Sequence, residues 1–123
     1  MQRWKLIIEY KGCQFNGWQS QKDLTGIQDS IQSAIYKFSG ESTKIYGAGR
    51  TDSGVHALGQ VAHFDIKRET NQNEIREALN SYLRPDLISI IKVFIILSGI
   101  PAVPIPEIDR SSQRTIYFKF IFL

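Results

Sequence analysis

The sequence predicts an α+β domain: an antiparallel sheet with two helices on one face, in the order β-α-β-β-α-β. Three observations point there. Two segments repeat their apolar residues at helical spacing, short apolar segments with strand-like spacing lie before, between and after them, and glycine or proline marks the joins. A chain of 123 residues has room for one such domain.

The first strand is read from Trp4 to Tyr10, where Trp4, Leu6, Ile8 and Tyr10 alternate with Lys5, Ile7 and Glu9 and predict one buried face. Lys11 to Asp23 contains Gly12 and Gly17 and no sustained period, which predicts a loop exposing Phe15 and Trp18. Thr25-Gly26-Ile27-Gln28 fits a capping box. Ile27, Ile31, Ala34, Ile35 and Phe38 then share one helical face, and Gly40 stops the helix. Thr43 to Tyr46 predicts a second strand, and Gln60 to Asp65 a third, beyond a glycine-rich run. Asn71 with Glu74 signals the next helix cap. Ile75, Ala78, Leu79, Tyr82 and Leu83 form its inner face, and Pro85 ends it. Leu87 to Lys92 supplies the last strand and completes a ferredoxin-like sheet, whose second face stays open for a ligand or another domain.

Hydrophobic residues make up 42% and charged residues 22%, a globular balance that excludes disorder and a collagen-like repeat. Fifteen Lys and Arg against 12 Asp and Glu give a net charge of +3, which suits a polyanionic partner. Cys13 is the sole cysteine, so an internal disulfide and a Cys-rich metal site are excluded. Met1-Gln2-Arg3-Trp4-Lys5 holds no apolar signal core, and together these features predict a reducing, cytoplasmic setting.

Chemistry concentrates between Gly47 and Gly59, which hold four of the nine glycines. Backbone this free of Cβ atoms can approach a ligand closely, and it equally suits a long hairpin connection. The third glycine is misplaced for a dinucleotide fingerprint, and no Gly-Lys-Ser/Thr is present for a P-loop. Asp52 is the candidate catalytic residue, since a carboxylate in such a loop serves as nucleophile or base without a cofactor. Arg50, two positions earlier, suits a carboxylate, a phosphate or a base stack. His56, His63 and Asp65 lack the further ligand that a metal site requires, so no metal is expected. Ser53, His56 and Asp52 make a poor triad, being close neighbours with no oxyanion helix.

Gly49-Arg50-Thr51-Asp52-Ser53-Gly54-Val55-His56-Ala57, followed by Gly59-Gln60-Val61-Ala62-His63-Phe64, resembles the active-site motif of the tRNA pseudouridine synthase A family. Glu9-Tyr10-Lys11-Gly12, Phe15-Asn16-Gly17-Trp18-Gln19, Gln28 and Asn80 to Pro85 agree with it, so the resemblance covers residues 1 to 92. It implies the N-terminal domain of a pseudouridine synthase, an isomerase that converts uridine to pseudouridine at positions 38–40 of the tRNA anticodon stem-loop. It also implies a homodimer and no cofactor. By the same resemblance Asp52 is catalytic, Arg50 helps displace the target base, and Thr51 and His56 bind substrate.

After Lys92 the pattern departs. The family continues to Phe-x-Ala-Arg and then Arg-x-Tyr, whereas here Arg114-Thr115-Ile116-Tyr117 sets the tyrosine one place off, and a slip of one reverses a strand side chain. No stacking role passes to Tyr117. Residues 93–123 are expected to be an atypical apolar tail with three of the four prolines (Pro101, Pro104 and Pro106) in place of the family's second domain. A reading-frame change or local rearrangement past Lys92 is the expected origin, which predicts a truncated chain with lowered or lost activity. Two readings stand beside the enzyme: a non-catalytic RNA-binding module and a remnant without activity.

Overall fold

The first strand, β1 (Gln2–Tyr10), lies between two neighbours and carries the sheet's inner face. In the computed structural model the described residues are 1–11, 17–19, 26–51 and 54–97, with the backbone of 120–122. After β1 come α1 (Ile27–Ser39), β2 (Tyr46–Gly47), β3 (Val55–Ile66), α2 (Gln72–Leu83), β4 (Ile88–Ile96) and β5 (Phe120–Phe122). The sheet order is β2-β3-β1-β4, the ferredoxin-like arrangement, and every pairing is antiparallel. β5 joins the outer edge of β3 at residues 55–57, while β2 pairs with 62–63. No helix among the described residues is long and apolar enough to cross a membrane.

The alternation read from sequence sets the layers. Trp4, Leu6, Ile8 and Tyr10 are buried in one core with Ile27, Ile31 and Ile35 of α1 and Ile75, Leu79 and Leu83 of α2. Their alternating partners Arg3, Lys5 and Ile7 take the opposite face, in register with Asp65, His63 and Val61 of β3. Arg3 donates two hydrogen bonds to the Asp65 carboxylate, at 2.8 and 2.9 Å, and these hold that carboxyl below its usual range. His63 stacks on Tyr46 with ring centroids 5.3 Å apart, and its pKa is lowered by burial and then by Arg3. It is a packed sheet residue.

Several local expectations change, among them the start of β3, which lies at Val55 rather than Gln60. The α1 N-cap is Gly26, not Thr25: the Asp29 carboxylate accepts from the Gly26 N–H at 3.0 Å. Gln28 is drawn inward instead, where its amide donates to the Ile45 carbonyl at 2.8 Å. The second strand shrinks to Tyr46–Gly47 because side chains take its backbone partners, with Gln32 accepting from the Ile45 N–H at 3.0 Å. Tyr82 is 44% exposed, since Leu79 and Leu83 fill the inward positions and Tyr82 sits about 100° round the helix from Leu83. β4 runs to Ile96 rather than Lys92, and Val93 is buried in the core. The expectations on Phe15, Cys13, Ser53 and Tyr117 fall outside the described residues.

Side-chain clips complete the frame. Asn71 caps α2 by accepting from the Glu74 N–H at 2.9 Å. Asn80 ties α2 to β4, donating to the Ile90 carbonyl at 3.0 Å and accepting from its N–H at 2.7 Å. Glu41 bridges the exit of α1 to the end of β3, its carboxylate accepting from the Lys67 N–H at 2.8 Å and the Arg68 N–H at 3.0 Å. Glu41→Ala should therefore cost about 1–2 kcal/mol. Urea unfolding should show a lower midpoint with an unchanged slope.

Candidate active site

The glycine-rich segment is anchored from β3, from β1 and from Trp18 before it reaches residue 52. Immediately beyond β2, the Ala48 N–H donates to the Val61 carbonyl at 2.8 Å and so holds the loop's start to the β3 edge. Gln60, fully buried, donates its side-chain amide to the Gly49 carbonyl at 2.7 Å. Thr51 is held at both ends. Its hydroxyl meets the Tyr10 hydroxyl at 2.7 Å, and its carbonyl accepts the Trp18 N–H at 3.0 Å.

Trp18 joins this loop to α1. The carbonyls of Gly17 and Trp18 accept the N–H groups of Ile27 and Gln28 at 3.0 and 2.9 Å, pairing donors that the first helical turn cannot satisfy itself. The indole is buried at 3% exposure, against the exposed position expected from sequence, with its ring centroid 6.3 Å from that of Tyr10. The physical reason is Gly47. A Cβ there would lie 2.7 Å from two indole atoms, so only glycine leaves space for this packing. At the far end of the loop Gly54 has φ 80°, a conformation that disfavours a side chain.

Of the residues named from sequence, Arg50 is exposed, Thr51 is buried with its hydroxyl engaged, and His56 is buried on β3. Asp52 lies outside the described residues, between Thr51 and Gly54. His56 lines a cavity of about 460 Å³ with Glu9, Lys11, Leu58, Asp86 and Leu87, where the ends of β1, β3 and β4 meet. Tyr10 and Gln60 were not singled out as site residues. Their sequence signal is positional: one ends the alternating strand, and the other is a polar residue at an inward position.

Burial pushes the Tyr10 phenol up to about 12, with the Thr51 hydrogen bond acting in the opposite direction. A raised value in the fold means that the unfolded chain loses this proton first, so the phenol's contribution is complete below about pH 10 and lost towards pH 12. Tyr10→Phe should lose about 1–2 kcal/mol at neutral pH, because the Thr51 hydroxyl stays buried without this partner. Denaturation at pH 9 to 12 should show a shallower alkaline loss for the variant than for the wild type. Gly47→Ala should cost about 1–3 kcal/mol by overpacking against Trp18, read as a lower unfolding midpoint with altered indole fluorescence.

The family model described as tRNA pseudouridine synthase matches residues 6–94. A relative named tRNA pseudouridine synthase A from Methylocella silvestris is 51% identical over 92 residues, which are 75% of this chain and 37% of the relative. Its namesake in Methylorubrum extorquens is 46% identical over 96 residues, 78% of this chain and 38% of that protein. One from a Bradyrhizobium species is 44% identical over 120 residues, 98% and 46% of the two lengths. The chain thus spans less than half the length of these curated relatives. Its sheet and helices are those expected of a pseudouridine synthase N-terminal domain, and the chain belongs to the tRNA pseudouridine synthase family.

Proposed function

We propose that this chain carries the catalytic half of a tRNA pseudouridine synthase, with Asp52 as the catalytic residue and uridines of the anticodon stem-loop as substrate. The observation that carries this reading is the clamp on Thr51, the residue before Asp52, by Tyr10 and Trp18. The reaction breaks the N1–C1′ bond of uridine and forms a C5–C1′ bond. The C5 hydrogen leaves to water and N1 takes up a proton, so no oxidant or reductant is required. An aspartate carboxylate suits nucleophile or base work without a cofactor.

The target base must leave its stack, at a cost of a few kcal/mol. Arg50, exposed on the loop, fills the space the base vacates, and His56 meets substrate from the wall of the cavity at the strand ends. Thr51 serves substrate through the loop, since its hydroxyl is committed to Tyr10. Work in the cytoplasm as a homodimer belongs to the same reading.

Tritium release from tRNA labelled at uridine C5 tests it. The wild type should release tritium, and Asp52→Asn should slow release on the order of a thousandfold or more. Equal release by both would defeat the assignment, and tRNA binding without release would favour a binding module.

A further inference from the structure

Gln60 stands at a core-facing position of β3, paired with Ile8 of β1, and its side chain is fully buried. An amide there gives up its water, a penalty that an apolar residue of the same size does not carry. Both ends of this amide are engaged. Nε2 donates to the Gly49 carbonyl at 2.7 Å, and Oε1 accepts the Val61 N–H at 3.0 Å. Turning the amide over would set NH2 against N–H and oxygen against oxygen, so its orientation is fixed. Burial raises the Tyr10 phenol, and Thr51 and then Gln60 hydrogen-bond against that rise, which joins the three side chains in one network.

Arg50 lies between the two residues that this network holds. Before it, the Gly49 carbonyl is bound to Gln60. After it, Thr51 is bound through its hydroxyl to Tyr10 and through its carbonyl to the Trp18 N–H. The backbone is thus fixed on both sides of a residue that is itself exposed. A long cation on a loosely held loop must order that loop each time it enters a gap in an RNA stack. On a fixed backbone it orders only its own rotamers, so the loop's entropy loss falls on folding instead.

We propose that Gln60 and Tyr10 are positioning residues for Arg50, holding its backbone from both sides so that the guanidinium takes the place of a displaced base. The inference rests on the proposed function and names the residues that make Arg50 effective. An anticodon stem-loop RNA with 2-aminopurine beside the target uridine reports unstacking by its fluorescence, separately from the chemistry. The full chain should raise the signal, and Arg50→Gln should lower the ratio of unstacked to stacked RNA about tenfold. Gln60→Met, which fills the same space without the donor, should lower it about fivefold, and so should Tyr10→Phe. Combined with Arg50→Gln, neither should add a further loss, because both act through Arg50. Circular dichroism checks folding, and Tyr10→Phe decides should Gln60→Met fail to fold. Glu41→Ala, destabilised through a contact beyond the far end of β3, should keep the wild-type ratio.

Additive losses in the double variants overturn the assignment, as does a wild-type ratio in both single variants. No rise with the wild type overturns it too, and so does a fivefold loss in Glu41→Ala, which would assign the effect to stability alone. A rise that depends on Gln60 and Tyr10 without tritium release keeps the assignment and removes the catalytic reading.

Discussion

The hydrogen bond between the Tyr10 and Thr51 hydroxyls is the constraint on which the candidate site depends. A loop rich in glycine has many backbone conformations, and fixing each residue costs about 1–2 kcal/mol of entropy. Such a loop presents a side chain reproducibly only if groups elsewhere hold it. Here the holding groups are buried, so losing the Tyr10 hydroxyl leaves the Thr51 hydroxyl buried without this partner. That penalty makes the clamp stronger than the modest net value of an exposed hydrogen bond.

The clamp in turn depends on strand register. Tyr10 faces the core because Trp4, Leu6 and Ile8 do, and a slip of one residue would turn all four outward. Between Ile8 and Tyr10 the pairing with β3 shifts: Ile8 faces Gln60, but Tyr10 faces Ala57 rather than the residue that an unbroken ladder supplies. An irregularity of this kind bends a strand and re-aims side chains where a site is built. It lets Gln60 reach the loop while Ala57 still fills the core. Packing of the two helices thus governs a hydroxyl at the rim of the sheet.

Much of this was legible in the sequence. The order of the six main elements, both helical faces apart from Tyr82, and the alternation of β1 follow from apolar spacing, since burial rewards it directly. What escaped has a common cause: polar side chains competing with backbone. Gln28 and Gln32 take up Ile45 and shorten β2, and Asp29 replaces the expected cap. β3 begins at Val55, inside a run read as loop, because Gly59 sits in a buried strand interior where turn preference carries no weight. Trp18 reads as exposed because its cover comes from residues distant in the chain, among them the glycine at position 47. The loop itself stood out by composition and motif, whereas its anchors Tyr10 and Gln60 did not.

Anchoring at Ala48 and again at Thr51 has a consequence for how this segment can change over generations. The span between the anchors is a measured length as well as a composition. One added residue supplies up to about 3.3–3.6 Å of extra chain with nowhere to lie flat. One of the two anchors must then let go. Insertions and deletions are therefore barred between these two positions even where substitutions are harmless, whereas the join between α1 and β2 can vary in length wherever the Gln32–Ile45 contact survives.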